Sequence, residues 1–160
     1  MESHKRMGVI LIISGILIAV FLSFFFIFLP IITKPKVSLW LGDSLFSADV
    51  VIDETGRNKG LSGVTKVDPN AALLMVFPHE SKWGIWMKDM KIPIDIVWLD
   101  KNKKVIYIEK NVSPSVSDSE IFEPKSLAKY VIEIPAGMVD KSAIRVGRVA
   151  IFQINEEGVE

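Results

Sequence analysis

The chain has 160 residues, with 19 Lys+Arg balanced by 19 Asp+Glu, no cysteine and two histidines. Disulfides, thiol catalysis and thiolate metal sites are therefore excluded. With His79 the only histidine beyond His4, a multi-histidine metal centre is excluded too, so no cofactor or metal is expected.

Residues 1–6 form a short tail with Lys5 and Arg6, and no residue from Met7 to Thr33 is charged. The run "MGVILIISGILIAVFLSFFFIFL" (7–29) is 23 residues long. As a helix it measures roughly 35 Å, enough to cross a bilayer core of about 30 Å with some tilt. It lacks the polar stripe of a soluble amphipathic helix. A cleaved signal peptide has a shorter apolar region and a small-x-small site; here "PIITKP" follows instead. The expectation is one transmembrane helix over 7–33, an uncleaved signal anchor in the cell membrane. Lys5 and Arg6 before it are matched by Lys34 and Lys36 after it, so the charge bias is a draw. The short basic tail favours a cytoplasmic N-terminus and an extracytoplasmic domain.

Residues 34–38 read as a linker, 39–155 as one β-rich domain and 156–160 as an acidic C-terminal tail. Without Lys5, Arg6, Lys34 and Glu2, residues 36–160 keep 16 basic and 18 acidic side chains, net −2. No basic run or stripe appears, so nucleic acid is not an expected partner.

Within the domain, "SLFSADVVID" (44–53) alternates and then runs apolar, as a strand does. Thr55 is placed to cap a short helix through "GRNKGLSG" that ends at Gly60 or Gly63. "AALLMVF" (71–77) reads as a buried strand stopped by Pro78. "IPIDIVWL" (92–99) and "KVIYIEK" (104–110) form a hairpin about "DKNK", with Asn102 suited to the left-handed position. "KYVIEI" (129–134) is a strand ending at Pro135, a second short helix follows through "AGMVDKSA", and "GRVAIFQI" (147–154) is the last strand. Short strands at this spacing predict a mainly β fold, a single compact β-sandwich or barrel-like domain with one or two short helices.

Four blocks carry a family resemblance: "RNKGLSG" (57–63), "ALLMVFP" (72–78), "WMKDMKIPIDIVWLDKNKKVIYIEKNVSP" (86–114) and "AKYVIEIPAGMVDKSAIRVGRVAIF" (128–152). Together they resemble the domain of unknown function 192 family, also called uncharacterised protein family 0127. The likeness covers about residues 39–154. The chain departs from the family's usual pattern at Asp89-Met90, at Lys103, at Arg148 and in lacking a cysteine pair after "NVSP". The resemblance implies a compact, mostly β domain, often behind a signal or anchor. It implies no reaction.

The candidate site centres on "SKWGIWMKDMKIPIDIVWLD" (81–100), which holds Trp83, Trp86 and Trp98. Along "IPIDIVWL", Ile94, Ile96 and Trp98 share one face, and Asp95, Val97 and Leu99 the other. Both faces are apolar, so Asp95 is shielded and needs partners. Two readings of it compete. It ties the fold together by accepting from an arginine or a backbone amide, or it points into a cleft beside Arg57, Trp86 and Lys88. Trp86 is a flat face fit to stack on a ligand. Lys88 and Asp89 are an ion pair, a solvated turn or part of the same site. Glu133 alternates with Val131 and could meet Asp95 across the sheet, a pair fit for acid–base chemistry. Candidate ligand-binding residues are therefore Arg57, Trp86, Lys88, Asp89, Asp95 and Glu133; no catalytic residue is assigned. No nucleophile elbow, phosphate loop or dinucleotide fingerprint occurs.

Three functions fit. The first is a membrane-anchored binding module for a small polar or saccharide-like cell-envelope ligand. The second is a scaffold or assembly subunit for a partner protein. The third is a hydrolase using paired carboxylates.

Overall fold

The computed structural model describes residues 36–117 and 119–159; the span expected at 7–33 lies outside the described residues. Among the described residues no helix is long and apolar enough to cross a membrane. The elements are β1 (Val37–Leu41), β2 (Ser44–Val51), α1 (Glu54–Lys59), β3 (Ala71–Ser81), β4 (Ile85–Trp86), β5 (Ile94–Leu99), β6 (Val105–Val112), β7 (Ile121–Phe122), β8 (Ala128–Pro135) and α2 (Met138–Lys141).

Six strands form one sheet in the order β1-β2-β3-β8-β5-β6, and β4 pairs with β7 separately. Only β2–β3 is parallel, and its crossover contains α1. The outer strands β1 and β6 bond to one segment near the C-terminus. Trp40 and Ile151 exchange both backbone hydrogen bonds at 2.9 Å, and Val105 bonds to Arg148 and Gly147 at 2.8 Å. The sheet therefore curls until 147–151 bridges its two edges. The expected strand 147–154 reduces to these isolated bridges.

The curl creates two apolar faces. The inner one gathers Leu39, Leu41, Phe46, Leu74, Val97, Leu99, Ile132 and Ile134. The outer one gathers Met75, Phe77, Ile85, Met87, Met90, Ile96, Trp98 and Val131 under the α1 and β4–β7 segments. Burying one such large side chain contributes about 1.5–3 kcal/mol, so neither face could be left to solvent. Two buried faces explain why β5 is buried at all six positions.

Local chemistry shifts several boundaries. β1 begins at Val37, inside the stretch read as linker. α1 is capped by Asp53, whose Oδ1 accepts from the Gly56 amide at 2.8 Å, not by Thr55. At the β5–β6 hairpin the left-handed residue is Lys103 (φ 62), not Asn102. Asp100 Oδ1 accepts from the Asn102 and Lys104 amides, which fixes the loop, and Lys103 is held by its ammonium on the Phe152 carbonyl at 2.8 Å. Gly42 turns β1 into β2 at φ +63, where an added Cβ would lie 2.0 Å from the Ser142 carbonyl oxygen.

Candidate functional site

Asp95 and Glu133 stand on neighbouring strands, but the register separates them. Glu133 lies opposite Ile96, and Asp95 opposite Ile134. Side chains alternate across a strand, so Asp95 projects with Val97 and Leu99 to the inner face and Glu133 with Val131 to the outer one. Asp95 and Glu133 therefore do not form the carboxylate pair considered above.

Asp95 is fully buried. Its Oδ1 accepts from the Asn111 amide and its Oδ2 from the Val139 amide, both at 2.8 Å. Asn111 has φ 54 and sits where the β5–β6 register slips between Ile94 and Ile96. The carboxylate thus pins a β-bulge and the first turn of α2 together. Both oxygens are used inside the fold, by backbone amides and not by Arg57. Asp95 is structural.

Glu133 has the opposite character. It is 3% exposed. The Leu61 amide bonds to its carboxyl group, but Oε2 has no hydrogen-bond partner. Burial pushes its pKa up to about 7 against the single lowering effect of that amide. Gly60, at φ +50, brings the backbone close; a Cβ there would stand 3.2 Å from both carboxyl oxygens. The glycine at the end of α1 thus terminates the helix and makes room for Glu133.

Glu133 lines a cavity of about 300 Å³. Met75, Phe77, Ile85 and Met90 give it apolar walls, and Trp86 and Ile121 stand at its rim. Those two rim residues are cross-strand partners in the β4–β7 pair and are 42% and 57% exposed. Gly84 allows this approach, since a Cβ there would meet the Ile121 side chain at 2.5 Å.

Of the residues singled out in the sequence, the cavity gathers Arg57, Trp86 and Glu133. Arg57 donates to the Ile52 and Val76 carbonyls at 2.6 and 2.9 Å, and its guanidinium lies 5.1 Å from the Phe77 ring centroid. It ties α1 to the end of β2 and the middle of β3 and so holds the wall that carries Gly60 and Leu61. Lys88 is outside the lining; its ammonium is 5.9 Å from the Trp86 ring centroid. Asp89 is exposed at φ 58, and its carbonyl accepts from the Gly63 amide, so it shapes the turn under α1. Trp83 is half-buried, stacked on Phe77 at 4.4 Å, and its carbonyl accepts from the Trp98 indole.

Sequence reasoning missed Gly60, Leu61, Met75, Phe77, Met90 and Ile121 as cavity residues. Gly60 and Leu61 stood in the first family block, but nothing in the sequence says that this block faces β8. Among the described residues no cluster of three His, Asp or Glu could hold a metal.

The mostly β domain has relatives in sequence and in fold. The model of the DUF192 family, described as "Uncharacterized ACR", matches residues 38–152, and the chain belongs to that family. It is 31% identical over 129 residues to a UPF0127 protein of Thermococcus gammatolerans, covering 79% of this chain and 77% of that protein. It is 30% identical over 129 residues to a UPF0127 protein of Thermococcus kodakarensis, at 79% and 75% coverage. A solved structure from Sinorhizobium meliloti, named for transcription regulation, has a TM-score of 0.71 at 20% identity, with 76% of this chain and 96% of that one covered. A Novosphingobium aromaticivorans protein of unknown function has a TM-score of 0.65 at 19% identity, covering 72% and 83%. At these identities the structures share the fold alone.

Proposed function

We propose that this protein is a membrane-anchored binding module, its domain extracytoplasmic, which takes one small ligand with its polar end against Glu133. The observation that carries the reading is the Oε2 of Glu133, without a partner among the described residues, beside a cavity that joins apolar Met75, Phe77, Ile85 and Met90 to polar Arg57, Asn58 and Ser62. A buried polar atom without a partner costs roughly 1–3 kcal/mol. A ligand that brings a hydroxyl or amine donor recovers that cost on binding. The volume is at the lower end of small-molecule sites. Trp86 at the rim offers a face for the flat apolar side of a sugar ring. A saccharide-like cell-envelope component meets both demands. The 23-residue uncharged run before the domain supports the anchor.

The transcription-regulator name of the Sinorhizobium protein does not carry over. A domain of net charge −2 without a basic stripe offers little to a phosphate backbone.

The test uses the full chain in detergent micelles, with glutamate ¹³C-labelled at the carboxyl, titrated with a panel of monosaccharides and amino sugars. The expected result is that at least one compound moves the Glu133 resonance, and that Glu133→Ala weakens its binding at least tenfold. A panel in which nothing moves that resonance, or in which binding survives Glu133→Ala, defeats the reading.

A further inference from the structure

We infer that the seam where 147–151 bridges the sheet's edges is a lipid-docking face, on which the domain lies against the surface of the bilayer that holds its N-terminal segment. The inference rests on the anchor reading but not on the Glu133 cavity. Strands β1 and β2 and the bridging segment 147–151 meet at one register along the seam. Trp40 is the cross-strand partner of Leu45 on one side and of Ile151 on the other. Their side chains are 45% (Leu45), 49% (Trp40) and 66% (Ile151) exposed, while the alternate residues Leu39, Leu41, Phe46 and Ala150 are buried. Val149, two residues from Ile151 and so on the same face, is also exposed. The result is an unbroken apolar row, Leu45–Trp40–Ile151–Val149. Scattered apolar residues on a surface need no explanation, but a contiguous row does.

Three features select a lipid surface as the occupant. The first is chain length. Trp40 lies seven residues after Thr33, the last residue of the uncharged run. An extended chain covers at most about 3.3–3.6 Å per residue, so a tether of no more than roughly 25 Å connects that run to Trp40. Tethering at this range gives a high effective concentration at the membrane, and weak contacts then suffice. The second is composition. Tryptophan beside aliphatic residues suits the headgroup boundary, where one end of the indole is apolar and the other wet. The third is charge. Lys104 is the bridge partner of Val149, and Arg145 and Arg148 are exposed next to it. Lys36 stands on the Trp40 face of the chain. Arg148 pairs with Asp43 at 2.8 Å and Lys36 with Asp49 at 3.5 Å, so Lys104 and Arg145 are the cations best placed for anionic headgroups.

The experiment reconstitutes the full chain in liposomes and measures tryptophan quenching by lipids brominated at shallow positions of the acyl chain. Flotation with the liposomes after a carbonate wash first checks the anchor; failure to float rejects the anchor and this inference with it. With the chain anchored, quenching is expected in the native protein and in Trp86→Phe, and is expected to be lost in Trp40→Phe. Adding Lys to the row, as Ile151→Lys, should reduce quenching without changing the unfolding midpoint. Quenching that persists in Trp40→Phe, or is absent from the native chain, overturns the docking face. Disulfide-linked dimers of Ile151→Cys at low lipid-to-protein ratio and at high dilution alike would also overturn it, since they assign the row to a second copy.

Discussion

Asp95 and Glu133 are two buried carboxyls one strand apart, and they do opposite things. Asp95 projects to the inner face and spends both oxygens on backbone amides, at a bulge of β6 and at the start of α2. Glu133 projects to the outer face, receives one amide and, among the described residues, leaves Oε2 buried without a partner beside a cavity. Burial alone therefore does not make a carboxylate structural. What decides is whether the surrounding backbone supplies enough donors for the charged form. Where it does, the group stays a stabilising element of the fold. Where it falls short, the group is forced towards its neutral form and keeps bonding capacity for something else.

One of the two largest effects should come from breaking Asp95. Asp95→Ala strands the buried Val139 amide and the part-buried Asn111 amide, so a loss of about 1–3 kcal/mol is expected in denaturant unfolding followed by tryptophan emission. Asp95→Asn should recover little, because its amide nitrogen would face one of the two N–H donors. A loss below about 1 kcal/mol would remove the structural reading of Asp95 and erase the contrast with Glu133.

Comparable in size is the pH dependence at Glu133. Its folded pKa of about 7 lies above the usual 4.5, so the folded state holds the extra proton. Its contribution is fully present below about pH 4.5 and is lost as pH rises through 7. By linkage the native chain gives up on the order of 3 kcal/mol of stability over that window. Glu133→Gln cannot ionise, so it should be more stable than the native chain at pH 8 by roughly 2–3 kcal/mol and nearly equal to it at pH 5. Melts at the two pH values decide this; a variant that is less stable at both would show that the carboxylate is satisfied after all.

Gly60→Ala is expected to cost about 1–2 kcal/mol, from a side chain at positive φ pressed against the Glu133 carboxyl. Combined with Glu133→Ala, the penalty should shrink to its backbone part, because the oxygens at 3.2 Å are gone. Equal penalties in both backgrounds would mean that Gly60 serves the backbone alone. The smallest effect belongs to Trp86→Ala. It stands at the exposed rim, so stability should stay within about 0.5 kcal/mol, while affinity for any compound that perturbs Glu133 falls. A large loss of stability would make Trp86 a core residue and narrow the site to the carboxyl.

Much of the outline follows from sequence alone. The alternation of "IPIDIVWL" assigns Asp95 to one face and Ile96 to the other, and Val131 and Glu133 to the same face of β8, because side-chain period in a strand is two whatever the neighbours are. Apolar residues on both sides of Asp95 predict its burial. Prolines and glycines at short intervals predict a mainly β fold, and the family blocks identify the fold before any coordinate. The tertiary structure decided the rest, since period two gives a face without saying what covers it. Strand order placed β8 between β3 and β5 and set Glu133 opposite Ile96, which parted the two carboxyls. The fold of the "RNKGLSG" segment over the outer face gave Glu133 one amide and a cavity. The curl of the sheet brought 147–151 onto both edges and turned an expected strand into a seam. Each of these depends on contacts between residues far apart in the chain, and a single sequence carries no record of which distant residues will meet.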